Sequence, residues 1–287
     1  MAFQPSSFLR GPFVLVPLYI YPTVDSWQPL FSAAQAHRDL DLLVVVNPNN
    51  GPGSCPLPDS NYIDNLARLS CFPNTTVLGY VYCGYGSRPL AELEQDISVY
   101  RDWTGYCARS ESRPLGTPGP RVRVDGIFFD EAPASGEHVD YMTAISDYTR
   151  IVMQASVLDC PRRSLVILNP GIFADPAFYQ LADFVVVFEN AAAEWGSEYV
   201  RANLATLPSE LRRKSIAIAH SETCIQKQVQ FSVDAVIGSG LAGHFATATS
   251  GYDEFCPNWG TYVRHADEVL RRGGWLSGTN RARAGPH

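Results

Sequence analysis

The sequence predicts a single (β/α)8 barrel, an α/β fold, and three observations carry the prediction. Eight short runs rich in Val, Ile and Leu recur along the 287 residues, separated by loops and helix-period segments. The runs are continuously apolar rather than alternating, as parallel strands buried on both faces should be. Most runs also end in polar or aromatic residues, which a closed barrel gathers at one rim. Parallel neighbours need long crossovers, and closure removes both sheet edges. A doubly wound open sheet is the competing arrangement of the same units.

The elements follow in order. VLVPLYIY (14–21) is the first strand. Asp25 and Gln28 read as a D-x-x-Q capping box before a helix with Trp27, Leu30, Phe31 and Ala34 on one face. LLVVVN (42–47) is the second strand, and the Pro/Gly/Ser-rich segment 48–60 at its exit is placed on the rim, where it shapes a cleft. Tyr62, Leu66 and Leu69 mark the second helix, TVLGYVY (76–82) the third strand, and Leu90, Leu93, Ile97 and Tyr100 a helix opened by Pro89. Segment 105–123 is irregular and falls on the opposite rim, with a structural role. Then come GIFFDE (126–131), a helix over 139–157, LVILNP (165–170), a short helix near 176–180 and FVVVFEN (184–190). SIAIAHS (215–221), a weak helix near 229–236, GHFATATS (243–250) and a helix with Tyr262, Ala266 and Val269 complete the barrel. The domain is expected over 12–276, with a loose tail at 277–287.

Composition narrows the function. With 46% hydrophobic and 18% charged residues, the chain can bury a large core. A net charge of −7 disfavours binding to nucleic acid or an anionic membrane. The N-terminal apolar run, broken by Pro17, has neither the pattern of a signal peptide nor that of a spanning helix. The chain as written therefore reads as cytoplasmic, or as secreted if the natural protein begins further upstream. Seven scattered cysteines with no CxxC pair argue against a zinc ribbon, and no cofactor or metal is implied. Asn74-Thr75-Thr76 is a glycosylation sequon.

Two motifs mislead. GSGLAG (238–243) matches G-x-G-x-x-G, but a strand follows it where a dinucleotide site needs a helix. It reads as a helix-to-strand turn. His220-Ser221-Glu222 lacks the G-x-S-x-G elbow of a serine hydrolase.

Strand ends in a barrel line the face where active sites sit. Here that list holds Tyr19, Tyr21, Asn47, Tyr82, Tyr85, Asn169, Asn190, His220, Thr247 and Thr249, with three acids, Asp130, Glu131 and Glu189. In VDGIFFDEAP (124–133) an apolar strand carries two adjacent carboxylates outward. One such acid alone often caps a helix or pairs with Arg. Three on one rim, among tyrosines and asparagines, suit glycoside hydrolysis, in which one carboxyl protonates the leaving oxygen and another attacks or stabilises the sugar cation. Crowded like charges also raise at least one pKa.

The blocks VPLYIYP, VVVNPNNGPGS, PLPDSNYI, VLGYVYCGYGSRPL, VDGIFFDEAP and VVFEN, in this order over about 13–275, closely resemble the spherulation-specific, spherulin-4-like proteins classed as glycoside hydrolase family 135. The resemblance implies a (β/α)8 barrel, endo-hydrolysis of α-1,4-linked N-acetylgalactosamine in galactosaminogalactan, and essential acids that map to Asp130, Glu131 and Glu189. In an α-linked sugar of this kind the acetamido group is cis to the leaving oxygen, so it cannot attack from behind. An enzyme carboxylate or activated water must do so. The expected roles are Asp130 as nucleophile, Glu189 as general acid/base and Glu131 as an orienting group, with the rim residues holding a polysaccharide. The alternatives are a non-catalytic carbohydrate-binding or spore- or cell-wall-associated barrel and a glycosidase of a different amino-sugar polymer. A chitinase-like site is disfavoured, since D-x-x-D-x-D-x-E is absent.

Overall fold

The computed structural model describes residue 9 and residues 11–107, 119–154 and 164–272. Eight parallel strands close in sequence order: β1 (Phe13–Leu18), β2 (Leu42–Val46), β3 (Thr75–Tyr82), β4 (Gly126–Asp130), β5 (Leu165–Asn169), β6 (Phe184–Ala191), β7 (Ser215–His220) and β8 (Gly243–Ala246). Phe13 pairs with Gly243 to shut the ring, so the open-sheet alternative is excluded. The crossovers carry α1 (Gln28–Ala36), α2 (Ser60–Leu69), α3 (Leu90–Trp103), α4 (Val139–Gln154), α5 (Phe178–Leu181), α6 (Glu198–Thr206), α7 (Ser209–Arg212) and α8 (Ile225–Val233), and α9 (Trp259–Arg272) ends the described chain. The tail at 277–287 and the middle of segment 105–123 lie outside the described residues. The flanks of that segment are joined by a bridge between Cys107 and Arg121.

Strand interiors are buried throughout, as the continuous apolar runs require. The helices pack on the outside of the ring. At Gly79 on β3 a Cβ would lie 2.5 Å from the Tyr100 ring, so only glycine lets the buried tyrosine of α3 reach the sheet. There its hydroxyl donates to the Val46 carbonyl at 3.2 Å.

Several local expectations are corrected. Asp25 caps nothing: α1 begins at Gln28, and Trp27 holds the cap position without a side-chain bond. The cause is the buried Trp27, whose indole donates to the Ile20 carbonyl at 2.8 Å and draws the preceding residues into turns. Gln28 turns to Ser32 and Arg68 instead. The Asn74 sequon lies inside the fold, where its amide donates to the carbonyls of Ala34, His37 and Leu40. The Gly-rich segment 238–243 turns from the end of the α8 region into β8, with Gly240 at φ +72°.

Acids at the strand entrances are structural. Asp125 accepts from the Val77 amide and pairs with Arg123, and Asp183 accepts from the Val166 amide and pairs with Arg150.

His244 on β8 is fully buried, with Nδ1 2.9 Å from the Tyr262 hydroxyl and Nε2 unpartnered. Burial pushes its pKa down from 6.5 to about 4. Between those values the unfolded chain binds a proton that the folded chain does not. The neutral ring's contribution is therefore complete above the unfolded value and is lost as pH falls toward the folded one. From pH 7 to about pH 4.5 this amounts to roughly 2 kcal/mol. Urea unfolding at both pH values should show a shallower acid loss for His244→Gln than for wild type. Equal losses would show that His244 is not the titrating group.

Candidate active site

The register of β3, β4 and β5 sets Tyr82, Asp130 and Asn169 side by side at the strand exits. Strand β6 needs a device to join them. Simple alternation would put Phe184, Val186 and Phe188 on one face and Glu189 on the other. Between Val186 and Phe188 the register slips by one residue, a bulge, so that Val186 and Glu189 oppose Ile216 and Ile218 on β7. Phe188 then packs outward on Trp195 and Phe231, and Glu189 turns into the barrel mouth.

One amide joins the two acids. Asn169 Nδ2 donates to Asp130 Oδ1 at 2.6 Å and to Glu189 Oε2 at 2.5 Å. Its orientation is fixed because Asn169 Oδ1 accepts the Gly171 amide at 3.1 Å, and the Gly171 carbonyl in turn accepts the Glu189 amide. Gly171 does this at φ +68°, where a side chain is strained. The remaining oxygens are held by two tyrosines: Tyr80 donates to Asp130 Oδ2 at 2.8 Å, and Tyr252 to Glu189 Oε1 at 2.7 Å. Burial, followed by the neighbouring carboxylates, pushes both phenols far up, so each remains a donor. Tyr19 lies edge-on to both rings at 5.5 and 5.6 Å and completes the floor.

Burial pushes the Glu189 carboxyl up. The Tyr252 hydroxyl pulls it down, the Asp130 charge raises it, and the Asn169 amide lowers it again, leaving the balance raised. Glu131 is also raised, by burial and then by Asp130. Its backbone stands at φ +47°, held by the Tyr85 amide donating to its carbonyl at 2.7 Å. Asn50, Tyr85, Glu131, Ser221 and Tyr252, the described non-glycine residues with positive φ, all follow strand exits, so the backbone strain is gathered at this mouth.

The three acids differ from the strand-entrance aspartates. Among the described residues, no Arg, Lys or His forms an ion pair with Asp130, Glu131 or Glu189. Nor does either member of the 130–131 pair cap the helix that follows, which is preceded by the turn Gly136–His138. No group of three His, Cys, Asp or Glu side chains among the described residues is arranged for a metal. No described helix is long and apolar enough to cross a membrane.

Of the expected binding residues, Asn169 bonds two of the acids, the Tyr85 amide bonds the Glu131 carbonyl, and Tyr19 packs on the tyrosines that hold Asp130 and Glu189. The Tyr82 ring lies under the Arg88 guanidinium, 5.8 Å away, one strand over. The contacts described for the others lie elsewhere. Strand β1 ends at Leu18, so Tyr21 swings out to donate to Asp59 at the start of α2. Asn47 accepts the Gly51 amide and shapes the loop after β2. Asn190, past the bulge, is exposed and accepts the Ala191 amide. His220 contacts Ser221, and burial lowers its pKa. Thr247 is buried, and its backbone ties β7 to the following loop. Thr249 has a buried hydroxyl without a partner. Sequence reading missed Tyr80 and Tyr252. Tyr80 could have been found two residues before Tyr82 on the same strand face. Tyr252 lies in a loop with no periodic signal.

Comparison with known proteins agrees with this architecture. The family described as spherulation-specific family 4 matches residues 13–266. Spherulin-4 of Physarum polycephalum is 30% identical over 212 residues, which are 72% of this chain and 55% of that protein, so the chain spans about half the length of that relative. The solved structure of Aspergillus clavatus Sph3 in complex with GalNAc is 28% identical with a TM-score of 0.74, covering 90% of this chain and 99% of that one. The alpha-L-fucosidase isoenzyme 2 of Paenibacillus thiaminolyticus, at 12% identity and a TM-score of 0.51 over 93% of this chain and 50% of its own, shares the fold alone.

Proposed function

This chain belongs to the spherulation-specific family 4, and on that premise we propose that it is an endo-acting glycoside hydrolase cleaving α-1,4-linked N-acetylgalactosamine in a galactosaminogalactan-type polysaccharide. The observation that carries the reading is the single Asn169 amide shared by Asp130 and Glu189. Two oxygens bound to one nitrogen at 2.6 and 2.5 Å can be no more than about 5 Å apart. This close approach of one oxygen from each acid favours the short carboxyl spacing of retaining glycosidases, roughly 5–5.5 Å, over the roughly 6.5–9.5 Å that leaves room for an inverting water. The GalNAc bound by the 28%-identical Sph3 structure supports an amino-sugar substrate.

In this reading Asp130, its two oxygens held by Asn169 and Tyr80, attacks the anomeric carbon from the face opposite the leaving oxygen. Glu189, whose proton affinity burial and the Asp130 charge raise, protonates that oxygen. The resulting glycosyl ester is then hydrolysed by water that Glu189 deprotonates. Glu131, free of ion pairs among the described residues, contacts the sugar bound between them.

The test is a reducing-end and mass-spectrometric assay on purified galactosaminogalactan, with NMR of the newly formed anomer. Release of N-acetylgalactosamine oligomers, first seen as the α-anomer, is expected. A β-anomer as first product would mean inversion and would remove the nucleophile role of Asp130.

A further inference from the structure

Exposed aromatic and apolar side chains flank the acids on both sides of the mouth. Tyr85, 63% exposed, stands beyond β3 on the Asp130 side. On the Glu189 side, the chain leaving Asn169 passes through Gly171, where a Cβ would lie 3.6 Å from Glu189 Cβ, directly into Ile172 and Phe173. Ile172 is 49% exposed, and the Phe173 ring meets the edge of Tyr199, itself 53% exposed, at 6.0 Å. Tyr199 opens α6, and helix starts in this fold face the strand-exit rim, so Phe173 and Tyr199 share the active face.

Phe173 packs against the edge of the core, but Tyr199 stands outside it. Tyr199 has more than half its surface in water, although solvent-facing helix positions usually carry polar residues. A phenol offers an apolar ring face with a polar tip, which suits the C–H face of a sugar ring and its hydroxyls. Continuity with the acids identifies the occupant. A glycan whose scissile bond lies between Asp130 and Glu189 has its next units within reach of the 172–173 loop.

We propose that Phe173 and Tyr199 form a sugar-stacking platform beyond Glu189, a distal subsite for the glycosyl units of a polymer extending past the cleavage point. This deepens, and rests on, the glycosidase reading. It gives a structural reason for the enzyme to prefer internal bonds of long chains, because both sides of the scissile bond meet an aromatic surface.

The experiment compares wild type, Tyr199→Ala and Tyr106→Ala, with folding checked by circular dichroism. Tyr106 is exposed, and it follows α3 on the opposite rim. Rates are measured on galactosaminogalactan and on N-acetylgalactosamine oligomers of increasing length, and affinity electrophoresis in gels containing the polymer reports binding. Tyr199→Ala should lower kcat/KM on the polymer about tenfold, as loss of one exposed aromatic anchor does. The loss should grow with substrate length, while Tyr106→Ala matches wild type. A loss independent of length, or none, would overturn the platform. If wild type binds the polymer without cleaving it and Tyr199→Ala weakens that binding, the platform stands and the hydrolase reading falls. If wild type neither binds nor cleaves, both fall.

Discussion

Glu189→Gln and Asp130→Asn are each expected to cut hydrolysis of the polymer by about 10^3-fold or more, on the scale of a lost general acid or a lost covalent step. The substitutions are nearly isosteric, and the partners Tyr80, Asn169 and Tyr252 remain, so folding should survive. The two variants should differ on an activated aryl glycoside. A dinitrophenolate leaves without a proton, so Glu189→Gln should still form the glycosyl-enzyme and show a burst of released phenol. Asp130→Asn has no nucleophile and should show none. Stopped-flow absorbance reads both outcomes. If Asp130→Asn remained active while Glu131→Gln was dead, the roles assigned to the adjacent pair would have to be exchanged.

Asn169→Ala is the second variant with a large expected effect, about 10^2-fold in kcat. It removes the amide that holds Asp130 and Glu189 at a shared spacing, leaving two carboxylates facing each other across a gap. Because the Asn169 bond lowers the proton affinity of Glu189, its loss should also move the alkaline limb of the pH–rate profile upward. The sign follows from the chemistry: the acid must be protonated, so activity falls as pH rises through the Glu189 pKa, and a higher pKa delays that fall. A merely structural defect would lower kcat without moving the limb. A loss of kcat with an unmoved limb would therefore end the bridging role.

The contrast between the two sets of acids shows how far a single sequence could be read. Asp125 and Asp130 lie five residues apart on one strand, and composition does not separate them. Their places at the entrance and the exit of β4 do, and these follow from strand direction. The first is paired with Arg123 and stabilises the ring, whereas the second faces the mouth without a cation among the described residues. The strand-exit argument therefore selected Asp130, Glu131, Glu189 and Asn169. It also gathered Asn190, His220 and Thr247, whose described bonds are to neighbouring segments, because proximity to a strand end does not say which way a side chain points.

By itself the sequence determined the barrel, since continuous apolar runs at regular spacing have few other ways to be buried on both faces. It also placed three carboxylates on the rim, because strand ends follow from where the apolar runs stop. Which groups touch was decided only by tertiary structure. FVVVFEN alternates in a way that would aim Phe188 inward, and the bulge against β7 reverses it. Tyr252 reaches Glu189 from a loop 63 residues away, in a left-handed conformation that no local pattern encodes. Both depend on pairing and packing between distant segments, and the favourable contacts that stabilise them exist only once the ring has closed.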